Sequence, residues 1–303
     1  MVSTDRGPLE EVLSESLVNE IVTAVGLPVT DFTHGLVWRL FRKVTDRLAH
    51  LGANFDRLVK EEGLPAASRW ALQFFCSDIH AHGIEHIPPK GPLLVATNHP
   101  GAYDAFSLFS SLKGHDIRCI TTVIPFFDML PNARERFLFS PRDDSTQRMM
   151  AMRKAVRHLR RGGTLVYFPS GHRDPDPFTY PEGEQSFDRW MDVFDIFFST
   201  VRDLKVMPAV VSGVVSRQWS RHPVTWLRKE QIDRQRLAEF GQVITQILKP
   251  GSLLMTPRIS FGEAFSESDL RLKMGEGNLR RAVIERAKAL FQHSARHYGD
   301  FAE

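Results

Sequence analysis

Four short, predominantly apolar runs, each closed by a turn or loop signal, constrain this chain more than any other feature. They are Leu93-Leu-Val-Ala-Thr97, Ile117 to Ile124, Thr164-Leu-Val-Tyr-Phe168 and Val206 to Val215. Apolar runs of this length without a clean polar alternation read as strands buried on both faces, so helices must cover the sheet on both sides. Segments of helical period lie between them. Asp104 to Lys113 is stopped by Gly114, and Ser145 to Arg161 by Gly162-Gly163. Alternating strands and helices predict an α/β fold, a central sheet flanked by helices.

Shorter signals fill in the outline. Ile84 to His86 is a short strand candidate before the turn Pro88-Pro89-Lys90-Gly91-Pro92, and a last strand is expected near Leu253 to Phe261. Gln185 to Val201 is a helix candidate. A polar stretch rich in Arg and Gln follows Val215, and a C-terminal helix carries Leu279, Val283, Ile284, Leu290 and Phe291 on one face. Residues 1 to about 80 read as helical instead. Leu36, Val37, Leu40, Phe41, Val44 and Leu48 recur at helix spacing, the pattern resumes at Leu51, Phe55, Leu58 and Val59 after a possible break at Gly52, and Trp70, Leu72, Phe74 and Phe75 form a third cluster. The expected division is a helical segment over 1–80, membrane-facing or lid-like, and an α/β domain over 81–303.

With 303 residues, 42% hydrophobic and 25% charged, the chain can bury a sizeable core, and wholesale disorder is excluded. No window approaches the roughly 18 uncharged apolar residues of a membrane-spanning helix. The first eleven residues are acidic and no apolar run follows, so a secretory leader is not expected. Cys76 and Cys119 have neither metal-like spacing nor a disulfide pattern, which points to a reducing compartment.

Three places could carry chemistry. His99 follows a buried strand and precedes a Pro-Gly turn, with Asp104 five residues on at the start of the next helix. A carboxylate on one imidazole nitrogen fixes the tautomer and stabilises the imidazolium, leaving the other nitrogen to take a proton from a hydroxyl. The same spacing also suits an N-capping aspartate beside a loop histidine. Phe168-Pro-Ser170-Gly171-His172-Arg173 closes a strand with a glycine that lets backbone approach a ligand and an arginine fork suited to phosphate, or is a tight turn with a solvated Arg. Arg142, in Phe139-Ser-Pro-Arg142-Asp143-Asp144, could serve the same anion or simply pair with its acidic neighbours.

Together these segments resemble the glycerolipid acyltransferase family of the 1-acylglycerol-3-phosphate type. Asn98-His99-Pro-Gly-Ala-Tyr-Asp104 resembles its first motif, HX4D, and Phe139-Ser-Pro-Arg142 its second. Phe168-Pro-Ser-Gly-His-Arg173 resembles the third, usually FPEGTR, with Ser170 in place of Glu and His172 in place of Thr. Val206-Met-Pro208 resembles the fourth, and Phe261-Gly-Glu-Ala a further FGEP-type segment, so order and spacing agree over about residues 82 to 266. The resemblance implies a mixed central sheet and transfer of a fatty acyl chain from acyl-CoA or acyl-carrier protein to a hydroxyl of a lysophosphatidic acid-like acceptor. His99 would be the general base and Asp104 its orienter, while Arg142, Ser170, Gly171 and Arg173 would bind substrate, with backbone near Gly171 a candidate oxyanion donor. An acyl-ester hydrolase using the same pair, or a non-catalytic lipid-binding member, are the alternatives.

No cofactor is expected beyond the donor, and no metal. His80, His82 and His86 have few carboxylates nearby, and Asp174 and Asp176 read as turn residues too few for calcium. The basic helix from Arg148 to Arg161 has no nucleic-acid motif beside it, and no nucleic acid is expected. The aromatics Tyr180, Phe187, Trp190 and Phe194 either wall a pocket or pack in a core. The helix from Asp31 to Leu51, bearing Trp38, Arg39, Arg42 and Lys43, either lies on an anionic membrane or packs on the core. The expected location is cytoplasmic, peripheral at the inner membrane face. The sequence leaves oligomeric state open.

Overall fold

The computed structural model describes residues 7–25, 28, 30–274 and 279–299. The first six residues, which entered the reading on a secretory leader, lie outside them. The chain opens with helices α1 (Pro8–Val25), α2 (Asp31–Glu62) and α3 (Leu64–Leu72). Then follow β1 (His80–His82), β2 (Leu93–Thr97), α4 (Asp104–Ser111), β3 (Ile117–Thr121), α5 (Pro125–Asp128), β4 (Phe137–Phe139), α6 (Ser145–Arg160) and β5 (Thr164–Tyr167). The last part comprises α7 (Phe194–Thr200), β6 (Lys205–Ser212), α8 (Arg217–Ser220), α9 (Gln231–Leu248), β7 (Arg258–Phe261), α10 (Glu267–Met274) and α11 (Leu279–Gly299).

The strands form one seven-stranded sheet in the order β1-β7-β6-β2-β5-β3-β4. Five run parallel, while β7 is antiparallel to β6 and carries β1 parallel to itself. The sheet is therefore mixed. Its central strands show why their sequences lack alternation: both faces are buried, against different partners. On β2, Leu93 and Val95 join one core cluster and Leu94 and Ala96 the other; on β6, Met207, Ala209 and Val211 oppose Val206 and Val210. The first cluster is covered by α2, α3, α4 and α9, the second by α6, α7 and α11.

Several sequence expectations change. Ile84 to His86 is a 3₁₀ turn; the strand lies just before it, where His80, Ala81 and His82 pair with Arg258, Ile259 and Ser260. The His86 N–H donates to Gly83 O (3.0 Å), which draws the chain away from the sheet. The last strand begins only at Arg258, and the expected strands ending at Ile124 and Val215 stop at Thr121 and Ser212. Gln185 to Val201 is a 3₁₀ turn followed by α7. Phe187, Trp190 and Phe194 in it are fully buried in the second core cluster, so they pack a core. The polar stretch after Val215 contains the 18-residue helix α9. Finally, α2 runs unbroken through Gly52. A side chain there would put its Cβ 2.4 Å from the ring of Phe126, so the glycine permits a close approach and does not end the helix.

Candidate active site

The first motif begins where β2 ends. Asn98 is buried and mimics a strand residue, donating through Nδ2 to Val211 O (2.9 Å) and accepting from Val211 N (2.8 Å). This anchors the start of the turn to β6. The chain then turns through Pro100-Gly101 and enters α4 at Asp104. The carboxylate folds back: Asp104 Oδ2 lies 2.7 Å from His99 Nδ1 and accepts from Gly101 N at 3.0 Å. Asp104 is 1% exposed and the His99 side chain 31%. With the buried carboxylate on Nδ1, that nitrogen carries the proton and Nε2 is left as an acceptor. An aspartate in the first turn of a helix is also favoured by the helix dipole.

The loop after β5 supplies the opposite side of the imidazole. The Phe168 ring lies 4.6 Å from that of His99, centroid to centroid. Gly171 has φ +62°, a left-handed turn residue, and its N–H donates to Phe168 O (3.0 Å). That N–H closes the turn and so is not an oxyanion donor here. Ser170 is buried; its hydroxyl lies 2.8 Å from His172 O and 3.0 Å from Asp174 Oδ2. Arg142 reaches the same loop, donating to Gly171 O. The second and third motifs therefore touch.

Two carboxylates not foreseen as site residues complete the constellation. Asp174, read as a turn residue, accepts from His99 N at 2.8 Å and is buried; burial pushes its carboxyl up to about 6. Glu239, from α9, pairs with Arg173 at 2.5 Å. Burial pushes the Glu239 carboxyl up to about 7, outweighing the opposing pull of Arg173. The other turn aspartate, Asp176, is fully buried and accepts from the N–H groups of Phe178, Gly213, Val214 and Val215, tying its loop to the end of β6.

Glu239 belongs to a buried polar stripe. Gln235, Glu239, Gln242 and Gln246 share one face of α9, all buried. Gln235 Nε2 donates to Pro100 O and to Asp174 O (2.9 Å), Gln242 bonds the backbone of Val214 and Ser216, and Gln246 accepts from the Tyr103 hydroxyl. The spacing of i, i+4, i+7 and i+11, with neutral glutamines where a solvated face would hold charges, is the sequence signal that could have revealed it. In the loop after β5, burial and then the charges of Arg142, Arg189 and Arg236 push His172 down.

From His99 an apolar cavity of about 360 Å³ runs inward between α2, α4 and α5. Phe106, Phe109, Phe126, Phe127 and Phe137 line it, Gly52 lies on the α2 side, and Arg173 lines it together with His99. Among the described residues, no three His, Cys, Asp or Glu side chains gather as a metal would require.

Residues 78–212, which hold β1 to β6 and the motifs around His99, Arg142 and Arg173, match the family model "Acyltransferase". This stretch is therefore similar to an acyltransferase domain. Among solved structures, the chain is similar to the 1-acyl-sn-glycerophosphate (LPA) acyltransferase PlsC from Thermotoga maritima. They are 19% identical with a TM-score of 0.45, over 94% of this chain and 97% of that one. No curated protein matches the chain.

Proposed function

We propose that this enzyme moves a fatty acyl group from acyl-CoA or acyl-carrier protein to a hydroxyl of a glycerophosphate-type lipid such as lysophosphatidic acid, with His99 as general base. The observation that carries this reading is the juxtaposition of a buried-carboxylate imidazole, its Nε2 unoccupied by Asp104, with an apolar cavity that it lines. The acyl chain fits such a cavity because each buried methylene contributes about 0.8 kcal/mol.

The acceptor hydroxyl gives its proton to His99 Nε2 as its oxygen attacks the thioester carbonyl. The tetrahedral intermediate collapses to the ester, and the leaving thiolate takes the proton back from the imidazolium. Asp104 stabilises that imidazolium throughout. General-base help of this kind contributes roughly 10²–10⁴-fold. Arg142 and Arg173 are the proposed partners of the acceptor phosphate; the charge of Arg142 is already felt at His172, next to Arg173 in the same loop. No protein nucleophile is required.

The same reading puts the enzyme at an anionic membrane surface, on its cytoplasmic side. Among the described residues, no helix is long and apolar enough to cross a membrane. The N-terminal half of α2 exposes Phe32 (78%), Leu36, Trp38 and Leu40 (69%) with Arg39, Arg42 and Lys43 among them, a composition suited to lying in the lipid interface. Further along the same helix, Leu48, Leu51 and Phe55 line the cavity, so the proposed lipid-facing surface and the cavity share one helix.

Thiol release from acyl-CoA, measured with and without lysophosphatidic acid, tests the proposal. Acceptor-dependent release and its loss by at least 10³-fold in His99→Ala, at unchanged circular dichroism, are expected. Acceptor-independent release would make the enzyme a hydrolase, and an active His99→Ala would remove the base.

A further inference from the structure

We infer that Asp174 is a positioning residue for His99, holding the backbone of the base and setting a second carboxylate beside it. This rests on the acyl-transfer reading above. The contact is reciprocal, as on a rung of a β-ladder: His99 N donates to Asp174 Oδ2 at 2.8 Å, and Asp174 N donates to His99 O at 2.9 Å. Nothing in the sequence brings the two together, since 75 residues separate them. Gln235 locks the joint from α9 by donating to both Pro100 O and Asp174 O. Ser170 is placed so that its hydroxyl reaches the same Oδ2 at 3.0 Å.

A brace alone needs only a neutral acceptor, and the chain uses a charge. Asp174 is buried, and its Oδ1 has no hydrogen-bond partner among the described residues. A buried carboxylate with one oxygen unsatisfied is unfavourable for folding unless a charge elsewhere compensates. The groups whose charges favour the ionised form are His99 and Arg189, while Asp104 from α4 contacts the His99 imidazole and Glu239 from α9 pairs with Arg173. Asp174 therefore gains its compensation when His99 takes up the acceptor's proton, the moment at which a neighbouring negative charge helps the reaction. Position 170, where the motif resemblance leads to a carboxylate, holds a serine whose hydroxyl points to Asp174. In this chain the carboxylate sits four residues further along the same loop.

The test uses the full chain with acyl-CoA and lysophosphatidic acid. Asp174→Asn keeps an acceptor oxygen and removes the charge; kcat should fall 30- to 100-fold, with KM for both substrates within threefold and the melting temperature within a few degrees. Ser170→Glu combined with Asp174→Ser should regain at least tenfold over Asp174→Ser alone. Retention of more than a third of kcat by Asp174→Asn, or a loss carried by KM, overturns the inference, as does a double variant that recovers nothing. If Asp174→Asn does not fold, Ser170→Ala decides: a three- to tenfold fall in kcat supports the bridge to Asp174, and an unchanged kcat overturns it. An active wild type with an unaffected Asp174→Asn overturns this inference alone, whereas a wild type without acceptor-dependent turnover defeats the acyl-transfer reading and this one with it.

Discussion

His99 stands between two walls built on opposite rules. On the cavity side, Phe55, Phe106, Phe127 and Phe137 meet edge-on or tilted, with Phe55 and Phe106 5.4 Å apart and Phe106 and Phe127 5.9 Å apart. On the α9 side, every buried side chain of the stripe is polar and reaches a motif loop or the chain beside it. The apolar wall is non-directional, so it measures volume and tolerates exchanges that conserve it. The polar wall is directional. Removing one of its members leaves a buried donor or acceptor unpaired, at roughly 1–3 kcal/mol. On the proposed reading, the first wall would select the acyl chain and the second would fix where the proposed catalytic groups stand.

The largest effect should come from changing the volume of the first wall. A side chain at Gly52 collides with the Phe126 ring, which already lines the cavity. Gly52→Leu should push that ring inward and remove room for three or four methylenes. At about 0.8 kcal/mol each, that lowers kcat/KM for long acyl-CoA by about 100-fold relative to short ones. A series of acyl lengths measures it. Unchanged length preference would show that the apolar wall does not hold the acyl chain.

A smaller effect belongs to the second wall. In this structure the Arg173 guanidinium, the proposed phosphate partner, is held by Glu239. Glu239→Gln keeps a hydrogen-bonding side chain and removes the competing charge, so KM for lysophosphatidic acid should fall about tenfold, one charge-assisted hydrogen bond's worth. Length preference should not move. A rise in KM would mean that Glu239 holds Arg173 in its binding position, and the wall would then be part of the acceptor site itself.

The contrast between the walls also explains what could be read beforehand. The strands were legible because two-sided burial leaves an unmistakable apolar run, as at Leu93–Thr97 and Thr164–Tyr167. Phe137–Phe139 was not, since a three-residue edge strand is too short to carry a pattern. His99 and Asp104 were legible because a strand-turn-helix corner joins residues five apart. Glu239 was not. It meets Arg173 across 66 residues, on a helix whose buried face looks polar, and polar faces ordinarily lie in water. Asp174 was misread for a related reason: an aspartate beside prolines is usually a turn residue, and only the fold puts His99 against it.

The smallest effect is on stability, and of the two walls only the polar one carries it. The apolar wall does not titrate between pH 5 and 8. Glu239 and Asp174 do: burial raises their folded-state carboxyls to about 7 and about 6, above ordinary carboxylate values. A raised carboxyl binds its proton more tightly in the folded chain than in the unfolded one. The folded state therefore holds more protons, and its stability falls as pH rises through the folded value. Between pH 6 and pH 8 the contribution of Glu239 is on the order of 1 kcal/mol, a shift of about 2 °C in melting temperature for a chain of this size. Relative to wild type, Glu239→Gln should lose melting temperature at pH 6 compared with pH 8, while Gly52→Leu keeps the wild-type slope. If Glu239→Gln melts with the same pH slope as wild type, the buried pair with Arg173 does not change its proton content on folding, and the polar wall is held by hydrogen bonds alone.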